Sequence, residues 1–79
     1  MTVKTISYGY EQIAGYYREL IEMGTMRPGA QLPTVRQAAA AWSVSQPTVS
    51  RAWAVLKAEG LIVVRAGAHG GTFVAERPE

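Results

Sequence analysis

The stretch from Thr34 to Trp53, TVRQAAAAWSVSQPTVSRAW, constrains the fold most, because it encodes two short helices with almost no chain between them. Thr34 is a good helix N-cap and Gln37 follows three residues later, the spacing of a capping box. The alanines 38–41 then have the highest intrinsic helix propensity. Trp42-Ser43-Val44-Ser45 interrupts the pattern. Ser45 can cap a second helix with Pro47 in its first turn, where a missing N–H costs nothing. From there Val49, Ala52, Trp53 and Leu56 recur at helical spacing. Helices joined this tightly cannot lie antiparallel; they cross steeply, as in a helix-turn-helix. The expected spans are 34–42 and 45–59, with Gly60 just past the end of the second.

The remaining chain supplies one helix before this pair and a hairpin after it. Residues 1–9 carry no strong pattern and are expected to form an extended lead-in. From Tyr10 the sequence YEQIAGYYRELIEMG is amphipathic: Tyr10, Ile13, Ala14, Tyr17, Leu20 and Ile21 share a face, and Gly24 suits a position just past the helix end. That aromatic stripe belongs to a core rather than to a ligand box. Arg27-Pro28-Gly29 is a turn signal. Gln31-Leu32 is too short for an independent strand but can pair with a later hairpin edge. Leu61 to Arg65 is β-branched and bounded by glycines, and Thr72 to Ala75 is a second strand after the loose turn Ala66 to Gly71. An isolated hairpin is unstable in water, so this one must lie against the helices. The fold class expected is mainly α with a small β-hairpin: a winged helix-turn-helix of three helices plus a two-stranded wing, spanning 10–75, with 76–79 as linker or chain end.

At 79 residues the chain holds one small domain, marginal in its ability to bury a core. It has no cysteine, so disulfides and thiolate metal sites are excluded, and a lone histidine makes no metal site. No apolar run approaches the roughly 18 residues of a membrane span, and the N-terminus lacks a signal-peptide core, which favours a cytoplasmic protein. The net charge of +2 is uneven: −1 over residues 1–22, +4 over 23–75 and −1 over 76–79. The middle segment sets Arg27, Arg36, Arg51, Lys57 and Arg65 against Glu59 alone, which suits a polyanion. No nucleophile–base–acid arrangement is visible, and the glycines of AGAHGG lie between strands, not before a helix, so they are no nucleotide cradle. An enzyme is not expected, and neither is a cofactor.

These residues resemble the DNA-binding domain of the GntR family of bacterial transcription repressors over about Tyr8 to Ala75. The resemblance is carried by Tyr10-Glu11-Gln12-Ile13-Ala14; by Pro28-Gly29 followed by Leu32-Pro33-Thr34-Val35-Arg36; by Val44-Ser45, Thr48-Val49, Arg51-Ala52, Leu56 and Glu59-Gly60-Leu61; and by Gly71-Thr72-Phe73-Val74. It implies a repressor that binds a near-palindromic operator as a homodimer. It also implies a C-terminal effector-binding or oligomerisation domain outside this chain, so that the chain is either a fragment or a small protein in its own right. There are departures. Gln46 and Ser50 stand where the family often has arginine, which implies a different site preference. Ser43 stands where glycine is common in the turn, a modest strain if the position is left-handed. Trp42 and Trp53 replace smaller leucines while Ala38 replaces a leucine, which suggests a size compensation in the core.

On the second helix of the pair, 100° per residue puts Val49, Ala52, Trp53 and Leu56 inside and Pro47, Arg51 and Ala54 outside, with Thr48 and Ser50 on the flanks and Gln46 at the N-terminal tip. That end of a helix-turn-helix enters the major groove. Ser45, Pro47, Ser50 and Ala54 are small enough to let the backbone approach the bases. Gln46 can present its amide to adenine, or stand as a solvated surface amide. Thr48 can reach a phosphate or a thymine methyl. Arg51 is a phosphate clamp or a guanine reader. Arg36 contacts DNA by the resemblance, the alternative being a salt bridge. On the wing, Arg65 is a phosphate ligand, and Gly70 and Gly71 offer N–H groups to phosphates. His69 makes a backbone or minor-groove contact, or is a solvated loop residue. The expected partner is double-stranded operator DNA. The rival readings are a winged helix used for protein–protein docking, non-specific nucleic-acid binding, and RNA binding, which favours exposed aromatics for stacking.

Overall fold

The computed structural model describes residues 8–68 and 70–76. Three helices, α1 (Tyr10–Glu22), α2 (Val35–Trp42) and α3 (Gln46–Ala58), precede an antiparallel hairpin of β1 (Ile62–Arg65) and β2 (Gly71–Val74). The lead-in expected over 1–9 is described only at Tyr8 and Gly9, and His69 and residues 77–79 lie outside the described residues.

Local chemistry accounts for the boundaries. Thr34 Oγ1 accepts the Gln37 N–H at 3.0 Å, and the Gln37 side chain accepts the Thr34 N–H at 3.0 Å, the reciprocal capping box expected from the sequence. Ser45 Oγ accepts the Thr48 N–H at 3.3 Å, and Pro47 lies in the first turn of α3. The cap of α1 was not anticipated. Gly9 has no side chain to offer, so only half of a box forms: the Gln12 side chain accepts the Gly9 N–H at 2.8 Å.

The helix ends share one device. After α3, the Gly60 N–H reaches the Lys57 carbonyl and the Leu61 N–H reaches the Leu56 carbonyl, both at 3.0 Å, with Gly60 at φ 77°. After α2, Ser43 and Val44 reach back to Ala40 and Ala39 in the same way. Here a serine takes the left-handed position, at φ 57°, the one described non-glycine residue with positive φ. The left-handed conformation, at a cost of about 1–2 kcal/mol, closes the α2–α3 connection in a single tight turn.

The second strand of the hairpin starts and ends one residue earlier than expected, at 71–74 rather than 72–75, and Leu61 serves as part of the α3 stop rather than as strand. Gly71 joins the ladder opposite Arg65 because its lack of a side chain admits φ 152°. The Pro28-Gly29 turn closes with the Ala30 N–H on the Arg27 carbonyl at 2.9 Å, Gly29 supplying φ 85° at its third position. The chain that follows lies along β2: Val74 donates to Ala30 at 2.8 Å, Leu32 donates to Thr72 at 2.8 Å, and Gln31 bridges Phe73. Gln31-Leu32 thus does pair with the hairpin edge.

The core forms where the three helices and the hairpin base meet. Ile13, Ala14 and Tyr17 come from α1, Ala38 and Ala39 from α2, and Val49, Ala52, Trp53 and Leu56 from α3; Leu32, Leu61, Ile62 and Val74 close it below. Trp53 stands edge-on to Tyr17 with ring centroids 4.9 Å apart. Trp42 is half-buried rather than core, and Tyr8 and Tyr16 stand edge-on to it at 5.3 and 5.2 Å. Ala38 is fully buried in the same core cluster as Trp53, against which Trp42 packs. Of the aromatics in the expected core stripe, Tyr17 is buried and Tyr10 half-buried, whereas Tyr8 and Tyr16, which lie off that stripe, are 42% and 49% exposed.

Candidate nucleic-acid interface

α3 is the helix to which the other elements attach, and the flanking contacts define its free face. On one flank α1 supplies Tyr17 to Trp53, Tyr10 to Arg51, and Arg18 to Glu59. On the other, Ser50, Trp53, Ala54 and Lys57 line a pocket of about 250 Å³ together with Ile62, Val64 and Thr72 of the hairpin and Val35 of α2. Between the flanks, the N-terminal tip and outer side of α3 are open: Ser45, Gln46, Pro47, Ser50, Arg51 and Ala54 are all exposed.

At the tip, Ser45 Oγ caps the helix and also shares a hydrogen bond of 2.9 Å with Thr48 Oγ1. Both hydroxyls therefore have an internal partner, and Thr48 is half-buried. Gln46 and Pro47 carry no such commitment and project from the first turn. Ser50 lies toward the hairpin and Arg51 toward α1, so the two are on opposite sides of the open face. Val35 reaches the same pocket as Ser50, which sets the first turn of α2, with Arg36 exposed, beside this part of α3.

The electrostatics follow from one ion pair. Arg18 Nε and Nη2 donate to the two Glu59 carboxylate oxygens, each at 2.7 Å, a bidentate link between α1 and the end of α3. The hydrogen bond from Arg18 holds the Glu59 carboxyl below its ordinary value and raises the guanidinium of Arg18. It is the one ion pair among the described residues, and it occupies the single acid that the sequence sets among the central cations. Arg36, Arg51, Lys57 and Arg65 have no carboxylate partner among the described residues. The salt bridge considered for Arg36 does not form there.

The wing residues are placed differently from the tip. Pairing of Val63 with Phe73 and of Arg65 with Gly71 puts these four on one face of the hairpin, and Ile62, Val64 and Thr72 on the face that lines the pocket with α3. The Arg65 guanidinium lies over the Phe73 ring, 4.7 Å from its centroid, and so stands on the face turned from α3, apart from Gln46 and Ser50. The Gly70 N–H is not free for a phosphate: it closes a turn by donating to the Gly67 carbonyl at 2.9 Å. The contact expected of His69 lies outside the described residues. The sequence counts Lys57 among the central cations without placing it on the reading face, although seven residues after Ser50 is the same side of a helix. It is the exposed cation of the groove between α3 and the wing.

Three helices with a strained tight turn, a protruding polar helix tip and an appended hairpin define a winged helix-turn-helix DNA-binding domain. Residues 9–74 match the gntR family of bacterial regulatory proteins. The HTH-type transcriptional repressor YtrA of Bacillus subtilis (strain 168) is 40% identical over 67 residues, covering 85% of this chain and 50% of that protein. YtrA from Sulfolobus acidocaldarius, a GntR-family transcription factor, superposes with a TM-score of 0.80 at 33% identity, over 95% of this chain and 77% of that one. AraR(DBD), solved in complex with operator ORR3, superposes with a TM-score of 0.74 at 27% identity, over 95% and 88% of the two chains. The chain belongs to the GntR family. The family is one of bacterial regulatory proteins, and the Bacillus subtilis relative is named as an HTH-type transcriptional repressor. It spans half the length of the Bacillus subtilis relative. No described helix is long and apolar enough to cross a membrane.

Proposed function

We propose that the chain binds double-stranded operator DNA sequence-specifically, as the reading domain of a cytoplasmic transcription repressor that acts as a homodimer. The observation that carries this reading is the open tip of α3, with small and uncharged polar side chains at its centre and unpaired arginines beside it. A helix tip of this kind enters the major groove, where Gln46 can hold adenine N6 and N7 and Ser50 can meet a base edge. Arg36 and Lys57 supply phosphate contacts, Arg51 either clamps a phosphate or reads guanine, and the wing, with Arg65, His69 and Gly71, meets the backbone beyond the groove. The operator complex of AraR(DBD) and the repressor name of the Bacillus subtilis relative support the reading. A small-molecule effector acts through a domain outside this chain.

Docking of a protein partner finds less support, because the open face of α3 is polar and cationic rather than apolar. The experiment is selection from a random duplex pool, with the enriched sequences retested at two salt concentrations. A short two-fold-related motif is expected, and its half-site spacing gives the geometry of the dimer. Salt-sensitive binding without a motif overturns specificity and leaves a generic DNA binder. Arg36→Ala weakens binding while leaving the thermal melt nearly unchanged. A large drop in melting temperature assigns Arg36 to the fold instead.

A further inference from the structure

Arg51 invites a choice between two roles, guanine reader and phosphate clamp, and its surroundings favour one. Its guanidinium does not extend outward from α3. It lies back over the ring of Tyr10, 4.4 Å from the centroid, well inside the roughly 6 Å reach of a cation–π contact. Tyr10 is the first residue of α1, half-buried against the core, and the helix it begins is fixed by the Gln12–Gly9 cap. The ring is therefore a fixed platform and Arg51 the adjustable partner. No carboxylate competes for Arg51 among the described residues, since Glu59, farther along the same flank, is held by Arg18.

Stacking leaves the guanidinium able to bind. The ring contacts its face, whereas its five N–H donors lie in its plane and point outward from the edge. A free arginine loses much rotamer freedom when it is fixed on a phosphate; one already laid on a ring has lost part of it beforehand. The position also matters. A helix with its side chains is about 10–12 Å across, and the major groove is about 12 Å wide. A helix seated there fills the groove, so a group on its flank meets the sugar–phosphate wall and not the base edges. Arg51 is on the α1 flank, whereas Gln46 and Ser50 lie at the tip and on the other side.

We infer that Tyr10 is a positioning residue that holds the Arg51 guanidinium as a sequence-independent phosphate contact on the α1 side of α3, leaving base reading to Gln46 and Ser50. This rests on the DNA-binding reading above. The test uses the 79-residue chain, the duplex enriched from the pool and a shuffled duplex of the same length. Affinity and its salt dependence are measured for the wild type, Arg51→Ala, Tyr10→Phe, Tyr10→Leu and the double variant Tyr10→Leu/Arg51→Ala, with a thermal melt of each. Arg51→Ala weakens both duplexes by a similar factor and reduces the salt slope by about one. Tyr10→Leu weakens binding about two- to fivefold, and only while Arg51 is present; Tyr10→Phe, which keeps the ring, binds as the wild type does. A merely structural Tyr10 lowers affinity equally in both backgrounds, and that result overturns the inference. So does a changed base preference in Arg51→Ala, or tighter binding by Tyr10→Leu, which shows that the ring holds the arginine away from DNA. Failure of the wild type to bind either duplex at low salt is a separate outcome: it removes the DNA reading itself, and the inference with it.

Discussion

On its α1 side α3 is sealed: Ile13 and Ala14 are wholly buried, Tyr17 meets Trp53 edge-on, and Arg18 grips Glu59 with two hydrogen bonds. On its wing side the same helix borders a pocket of about 250 Å³, and Val64, which lines it, is 60% exposed. The first flank joins helix to helix through large, directional side chains. The second joins helix to hairpin through Ile62 and Val74 at the base and is open above them. The contrast separates two tasks. The α1 flank fixes where α3 stands, and the wing flank leaves the hairpin tip room to adjust to a partner. Small residues Ser50 and Ala54 on α3 keep that room open. A larger side chain at either position fills it.

Trp53 belongs to both flanks, standing edge-on to Tyr17 and lining the pocket, so its removal has the largest effect. Trp53→Ala destabilises the domain by about 3–5 kcal/mol, enough to unfold much of a chain this small at ambient temperature, as read by circular dichroism. Trp53→Phe costs much less. It keeps a ring for Tyr17 and deletes the indole N–H, which is buried with no partner among the described residues. Equal losses in the two variants place the stability of the domain in the indole's size rather than in its edge-on contact with Tyr17.

The wing flank is tested separately by Gly70→Ala. A methyl group there falls 2.5 Å from the Arg65 carbonyl oxygen and 2.9 Å from that of Gly67, both backbone atoms, so the turn itself must open. The expected loss is about 1–3 kcal/mol, with tryptophan fluorescence of the native state unchanged because the turn closed by Gly67 and Gly70 gives no residue to the pocket that Trp53 lines. A loss as large as that of Trp53→Ala, with an altered emission spectrum, shows that the hairpin and the helices do not respond independently.

How far the sequence announces this arrangement depends on the range of the interaction. Thr34 with Gln37, and Ser45 with Thr48, are contacts across three residues, and both are legible as cap spacings. Gly24, Gly29 and Gly60 at the turns are legible because positive φ favours glycine, and the resemblance to a family that commonly has glycine at this position marks Ser43 as a candidate for the same conformation. The buried row of α3 follows from the helical period. The β2 register is less legible, because a glycine at 71 reads as turn although its φ of 152° lets it pair with Arg65. Least legible are the contacts between elements. Arg18 and Glu59 are 41 residues apart, and nothing local to either names the other. The same holds for Tyr10 and Arg51. The residues of the open face were legible as a set, whereas which of them share a side depends on which element lies against each flank.

The Arg18–Glu59 pair is where the sealed flank can be loosened by conditions alone, and its effect is the smallest. Both side chains are partly exposed, so solvent screens the pair. Its hydrogen bonds hold the folded-state value of Glu59 below the ordinary 4.5. The contribution of Glu59 is therefore fully present above that ordinary value and is lost as pH falls through the lower folded value. Arg18 is shifted upward, so its contribution disappears only at pH far above any working range. The wild type should accordingly melt slightly above Glu59→Gln at neutral pH, and the two curves should converge as the pH drops below 4.5. High salt should narrow the neutral-pH gap in the same way. Glu59 also ends α3, where a negative charge opposes the helix dipole. A Glu59→Gln variant that melts higher at neutral pH therefore shows that the dipole term outweighs the ion pair, and that the aromatic contacts of Tyr17 with Trp53 seal the α1 flank without it.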